Sequence, residues 1–375
     1  MFKRTLIAAS LTVAALASAQ AMAVTGGGAS LPAALYKGSA NSILPANFSY
    51  AVTGSGIGKS AFLTNTPGQF GTTGVVDFAG SDSVLSTAEI NTYNTNFGTA
   101  YGPLIQLPSV ATSVVIPYKK AGQTALNLTT TQLCDALSGA KTTWGDLLSN
   151  NPAADPTPIR VVYRNVSSGT TEILSRHLNT LCPTKFAVNT TFTKARLPAD
   201  SAVPTHWKGV AETKDVVAAV NEEDGSIGYV GPDGANASSN AVVARVNNVQ
   251  PTSLNVTLAL GNAALPTNPA QPAQWVPVIA SPAVGYPIVA YTNFIFGQCY
   301  KDAAVANDVR SFLTTHYSNP GNNTATTAHN FIAVPVAWKD AVTANFITNT
   351  SGNNLDINNI NVCNGKGREQ LPASL

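Results

Sequence analysis

The sequence predicts an α/β fold with mainly parallel sheets, divided into two lobes. Three observations predict it. Short β-branched runs recur, each followed by a Gly- and Ser-rich loop; the fullest instance runs from residues 159–163 through 164–171 into an amphipathic helix at 172–181. Two apolar, β-rich stretches, 109–117 and 284–296, lie far apart in the chain and suit strands that cross between lobes. The length of 375 residues, with 44% hydrophobic content, exceeds one small domain and is enough for two sizeable cores.

From the N terminus, residues 1–23 read as a secretory signal peptide. Lys3 and Arg4 form its positive region, Leu6 to Ala17 its apolar region, and two small-x-small sites place cleavage near Ala19 or Ala23. The apolar run is shorter than the ~20 residues of a membrane span, and no later uninterrupted run reaches that length. The chain is therefore expected in the periplasm or outside the cell, with no membrane span. Only 11% of its residues are charged, against roughly 25% in ordinary soluble proteins. Without Lys3 and Arg4, 19 basic residues face 19 acidic ones. A neutral chain excludes nucleic acid, or an anionic membrane surface, held by bulk charge.

The next element is Gly26-Gly-Gly-Ala-Ser30-Leu31-Pro32, where Ser30 is expected to cap a helix started by Pro32 and so present free N–H groups. Thr53-Gly54-Ser55-Gly56-Ile57-Gly58-Lys59-Ser60 resembles a nucleotide-binding loop, but Thr53 stands where that pattern needs Gly. A Gly-rich turn offering the Ser55 hydroxyl remains. Residues 75–79 form a strand candidate that ends at Gly80-Ser81-Asp82-Ser83. A carboxylate repels a fully ionised anion, so Asp82 becomes useful only toward an anion that carries a proton. Phosphate at neutral pH does; sulfate does not, and would leave a buried charge unpaired at a cost of several kcal/mol. Asp82 is thus a candidate discriminator between the two.

The most informative segment is Arg164 with Ser168-Gly169-Thr170-Thr171-Glu172. A helix N-terminus exposes unpaired N–H groups and partial positive charge, Ser and Thr add hydroxyls, and Arg supplies a bidentate grip. A plain capping box with Glu172 at the third helical position competes with this reading. Leu174, Leu178 and Leu181 are placed on one apolar face. A third strand candidate, 226–230, ends at Gly231-Pro232. In such folds ligands sit beyond the carboxyl ends of the strands. No metal site is expected: the chain has no CxxC, and His177, His206, His316 and His329 show no ligand spacing. The four cysteines of an exported chain point to two disulfides. Sequence leaves three pairings open, though the positions fall into two groups, Cys134 with Cys182 and Cys299 with Cys363.

These residues carry a resemblance. The stretches GGGASLP (26–32), GSGIGK (54–59), AGSDS (79–83), PSVATSVVIPYKKAG (108–122), VVYRNVSSGTTE (161–172), GYPIVAYTNFIFGQCY (285–300) and NVCNGKG (361–367) are similar to those of the DING-type periplasmic phosphate-binding proteins, over nearly the whole mature chain. Two departures stand out. The Asp-Ile-Asn before the Gly run is replaced by Ala23-Val24-Thr25, and Ser30 stands where close relatives carry Thr, which keeps the hydroxyl.

The resemblance implies a type II periplasmic-binding (Venus-flytrap) fold, two doubly wound sheets joined by two crossing strands. It places lobe I at 24–112 and 285–375 and lobe II at 113–284. It implies inorganic phosphate held by Ser30, Leu31, Ser55, Asp82, Arg164, Ser168, Gly169 and Thr170, with Leu31 and Gly169 acting through backbone N–H. It also implies disulfides Cys134–Cys182 and Cys299–Cys363 and an ABC-type phosphate permease as partner. No cofactor and no catalytic residue are expected, and a monomer is the default, since no interface is visible in the sequence. Some relatives are described as alkaline phosphatases, so hydrolysis of phosphomonoesters is the alternative. Phosphoryl transfer usually needs metals or a nucleophile activated by a base, and neither pattern stands out here.

Overall fold

The computed structural model describes residues 24–261 and 263–369. The expected leader, residues 1–23, lies outside them. Among the described residues twelve strands run in chain order: β1 (Gly26–Gly28), β2 (Ala51–Val52), β3 (Phe78–Ser81), β4 (Leu104–Ser113), β5 (Tyr118–Lys119), β6 (Asn127–Leu128), β7 (Arg160–Arg164), β8 (Lys208–Val210), β9 (Ser226–Gly228), β10 (Arg245–Val246), β11 (Val289–Gly297) and β12 (Ile332–Ala333). They form a six-stranded sheet ordered β12-β4-β11-β3-β1-β2 and a four-stranded sheet ordered β5-β9-β7-β8, while β6 and β10 pair separately. The two sheets make two lobes.

The larger sheet is mixed, not mainly parallel. β1 runs parallel to β2 and β3, but β11 is antiparallel to both β3 and β4, and β12 is antiparallel to β4. The cause is the crossing. β4 leaves this sheet as Val114 and Val115; Val114 N bonds Ile288 O, and Val115 bridges Val230 beside the smaller sheet. β11 returns along β4 in the opposite sense, pairing Val289 with Ser113 and Gly297 with Leu104. The smaller sheet keeps the parallel order for β7, β8 and β9, and only the short β5 runs against them.

The Gly run at 26–28 is a buried strand. A Cβ on Gly26 would lie 2.1 Å from the Phe78 ring. A Cβ on Gly58 would lie 2.5 Å from Gly28 Cα, so the helix Ser55–Leu63 rests directly on β1. Behind it Phe78, Phe294, Phe296 and Phe312 pack ring against ring, with Phe78 stacked on Phe296 at 5.8 Å. Burying each such ring contributes roughly 2–3 kcal/mol. In the helix Gly169–Leu181, Leu174 and Leu178 are buried, but Leu181 is 58% exposed. It sits in the last turn, where the helix has run past the core.

Disulfides join Cys134 to Cys182 and Cys299 to Cys363. The first ties the helix Thr130–Ser138 to the end of Gly169–Leu181. Replacing Cys134 and Cys182 by Ser is expected to lower stability by ~4 kcal/mol on chain-entropy grounds for a closed loop of this length. The guanidinium midpoint of unfolding checks it.

Candidate functional site

The parallel strands of both sheets end toward one another, and their loops meet. Ser30 follows β1, Ser55 follows β2 and Asp82 follows β3. Arg164 closes β7, and Thr213 follows β8. The helices Ser55–Leu63 and Gly169–Leu181 both begin here. Each brings unpaired N–H groups and partial positive charge to the same point.

Arg164 is 2% exposed, and its guanidinium is the centre of the cluster. Its Nη1 donates to Ser30 Oγ (2.8 Å), Thr213 Oγ1 (2.7 Å) and Ser168 Oγ (3.3 Å), and its Nη2 to Ala211 O (2.7 Å). Its backbone N–H donates to the Tyr229 hydroxyl at 3.0 Å, which also bonds Thr171 Oγ1 at 2.8 Å. Burial lowers the guanidinium pKa, opposed by Tyr229 and Asp82. An arginine so placed keeps its charge.

Asp82 faces it from the other sheet, 2% exposed. Its N–H donates to Ser55 Oγ at 3.0 Å, and the Ser55 hydroxyl lies 3.4 Å from Oδ2. Burial pushes the Asp82 carboxyl up to about 7; the Thr292 hydroxyl, the charge of Arg164 and Ser55 pull it back, and Glu172 adds to the rise. Asp82 Oδ1, Arg164 Nε and Thr170 Oγ1 are buried and have no hydrogen-bond partner among the described residues. Buried polar atoms without partners are rare in folded proteins. Here an acceptor, a cationic donor and a hydroxyl are all available in one cluster.

Gly169 sits where the two sheets' loops touch. A Cβ on it would lie 2.4 Å from Asp82 Cβ and 2.5 Å from Ser55 Oγ. On the same seam, a Cβ on Gly54 would meet Ser167 O at 2.6 Å, and Gly54 has φ +88°. Leu31 is 1% exposed, and its Cγ lies 2.8 Å from the ideal Cβ position on Gly231. A cleft of about 350 Å³, lined by Ser30, Leu31, Val52, Thr213 and Asp233 among others, borders the cluster at its Ser30–Thr213 edge.

The structure thus brings together Ser30, Ser55, Asp82, Arg164, Ser168, Gly169 and Thr170, with Leu31 at the Ser30 edge. Two local expectations fail. Ser30 caps nothing: the helix Ala33–Tyr36 has no side-chain cap, because the Ser30 hydroxyl is drawn to Arg164 and Thr213. Glu172 is not the third helical residue, since Ser168 is the N-cap and bonds Thr171 N. Glu172 instead accepts from Ser83 Oγ and pairs with Arg176. Lys59, in the loop that resembles a nucleotide site, turns away to Ser83, Val84 O and Glu89. Reasoning from sequence missed Thr213, Tyr229, Thr292 and the half-buried Asp233, whose carboxyl burial pushes up to about 7. The local trace of Thr213 is faint: Lys208–Val210, a strand with one β-branched residue, feeds a loop and the helix Asp215–Glu222.

Residues 13–318 match the family model described as a PBP superfamily domain. A phosphate-binding protein from Stenotrophomonas maltophilia shares 46% identity and superposes with a TM-score of 0.83, over 92% of this chain and 99% of that one. The high-affinity periplasmic phosphate-binding protein PfluDING, solved with bound phosphate, shares 40% identity and a TM-score of 0.84, over 93% and 100%. The chain belongs to the PBP superfamily, in its DING group. Another relative, alkaline phosphatase L of Pseudomonas aeruginosa, is 63% identical over 371 residues, covering 98% of this chain and all of that protein. The two-lobed fold of the type II binding proteins is therefore the fold of this chain.

Proposed function

We propose that this DING-group chain binds inorganic phosphate between its two lobes and does not turn it over. The observation that carries the reading is the set of buried, unpartnered atoms Asp82 Oδ1, Arg164 Nε and Thr170 Oγ1, set between two helix N-termini. A hydrogen phosphate ion suits both halves of that set. Its oxygens accept from Arg164, Thr170 and the N–H groups of Gly169 and Leu31, and its proton goes to Asp82. Ser30, Ser55 and Ser168 complete the shell. The lobes are 24–112 with 285–375, and 113–284. Closure on the ion replaces its water with fixed donors. Delivery to an ABC-type permease from the periplasm or the outside, by a monomer, fits the phosphate-binding proteins named PstS that share part of this sequence.

A second reading, hydrolysis of phosphomonoesters, has the name of the Pseudomonas aeruginosa relative in its favour. The chemistry favours binding. His177 bonds Thr130 and Ala280 O, His206 bonds Ile159 O, His316 bonds Ser109 O, and His329 bonds Ser39. None is held against Ser55 or Ser168 as a base. Isothermal titration of the phosphate-stripped protein, alongside a hydrolysis assay, tests both readings. We expect one phosphate per chain, no heat with sulfate at pH 8, and no turnover. Absence of phosphate binding overturns the proposal.

Gly169→Ala is expected to weaken phosphate binding at least tenfold, ~1.4 kcal/mol. Its methyl would occupy the Asp82–Ser55 contact, which the buried side chains of Asp82 and Ser55 have little room to vacate. The melting temperature should change little, since the clash exists only when the lobes are together.

A further inference from the structure

We propose that Thr213 is a positioning residue that bolts the lobes together through Arg164 and so sets how slowly phosphate leaves. The inference rests on the phosphate reading above, but the residue lies outside the shell assigned to the ion. Thr213 is 6% exposed, in the loop between β8 and the helix Asp215–Glu222. Its hydroxyl lies 2.7 Å from Arg164 Nη1 and 2.7 Å from Ser30 Oγ. Ser30 itself accepts from Arg164 Nη1 at 2.8 Å. The three groups close a triangle with one corner on the larger sheet and two on the smaller.

That triangle has two consequences. It fixes the guanidinium from the side, together with Ala211 O, so that Nε is presented to the anion without a search over rotamers. It also adds a bond across the seam that forms only when Ser30 arrives, that is, after the lobes meet. A contact absent from the open form and present in the closed one slows reopening without affecting encounter. Hydrogen bonds to a charged group are among the stronger ones in proteins, so the effect should be large enough to read.

The experiment compares Thr213→Val, which removes the hydroxyl and keeps the shape, with Thr213→Ser, which keeps the hydroxyl, and with Thr213→Ala as a second hydroxyl-free variant. Association and dissociation rates for inorganic phosphate are measured by stopped flow, and melting temperatures control for folding. For Val and Ala we expect dissociation at least tenfold faster, with association within twofold of the wild type. The Ser variant should stay within threefold on both rates. Wild-type dissociation in a folded Val or Ala variant overturns the inference while leaving the phosphate reading intact. So does a loss carried by slower association alone. If the unmodified protein binds no phosphate, the reading and the inference fall together.

Discussion

Arg164→Ala should cost at least about 100-fold in phosphate affinity, ~2.7 kcal/mol. Among the described residues the guanidinium is the cation buried at the centre of the cluster of strand ends, since Lys59 is committed to Glu89 and to Ser83. In a chain of formal net charge +2, or 0 without Lys3 and Arg4, one buried Arg and two helix termini carry most of the electrostatic attraction. Removing it also leaves Asp82 without its counter-charge and releases Ser30, Ser168 and Thr213 from their common partner. Arg164→Lys should recover only part of the loss, because an ammonium is a point charge and cannot bond Ala211 O and present a second donor in the same plane. Titration calorimetry on both variants measures this. A loss below tenfold in the Ala variant would place the anion elsewhere.

The second large effect concerns selectivity. Asp82→Asn should bring phosphate and sulfate to within about tenfold of each other, against no measurable sulfate binding in the wild type at pH 8. The carboxylate repels an anion that has no proton to donate; the amide does not, and its NH2 becomes a donor to either ion. The raised pKa of Asp82 adds a pH dependence. Below about 7 the carboxyl holds its own proton and donates instead of accepting, so wild-type sulfate binding should strengthen from pH 8 to pH 5.

Stability of the phosphate-free protein should move with the same group. Unfolded, Asp82 ionises near ~3.9; folded, it does so at about 7. Between these values the native chain holds a proton the unfolded chain has lost, so stability falls as pH rises through that window and stays lower above it. Asp82→Asn should therefore melt above the wild type at pH 8, with the gap narrowing toward pH 5 and closing only below ~3.9. Asp77 and Asp233, also pushed up to about 7 by burial, leave the variant with a residual slope of the same sign. A pH-independent difference in melting temperature would remove Asp82 from this account.

Some of this was legible before any coordinates. The segment from Val161 to Thr171 announces itself, because a β-branched run, an Arg and a Ser-Gly-Thr helix start all follow local rules that tertiary packing left in place. The two crossing strands were legible for the same reason, as long apolar runs with few other uses. What stayed hidden depends on contacts between distant segments. Thr213 follows Lys208-Gly209-Val210, a strand with one β-branched residue, and its importance comes from Ser30, 183 positions away. Thr292 lies within a crossing strand whose apolar pattern masks it, and only the fold sets it beside Asp82. The Ser30 cap failed because a local option lost to a buried guanidinium that local sequence does not reveal.

The crossing also has a kinetic consequence. The segment that carries β5, β7, β8 and β9 is continuous and enters the chain as an insertion between β4 and β11. Its own sheet can form as soon as that segment is available. The larger sheet has no such freedom. β3 and β4 are not neighbours; both lean on β11, which arrives some 180 positions after β4. Until then the edges of β3 and β4 that face β11 are unpaired, and the cluster around Phe78 lacks Phe294 and Phe296. Long-range pairings of this kind are slow to form. The inserted half is thus built to mature first, and the outer half to wait with exposed strand edges for its last central strand. That interval is when the chain is most open to aggregation and most in need of a holding partner.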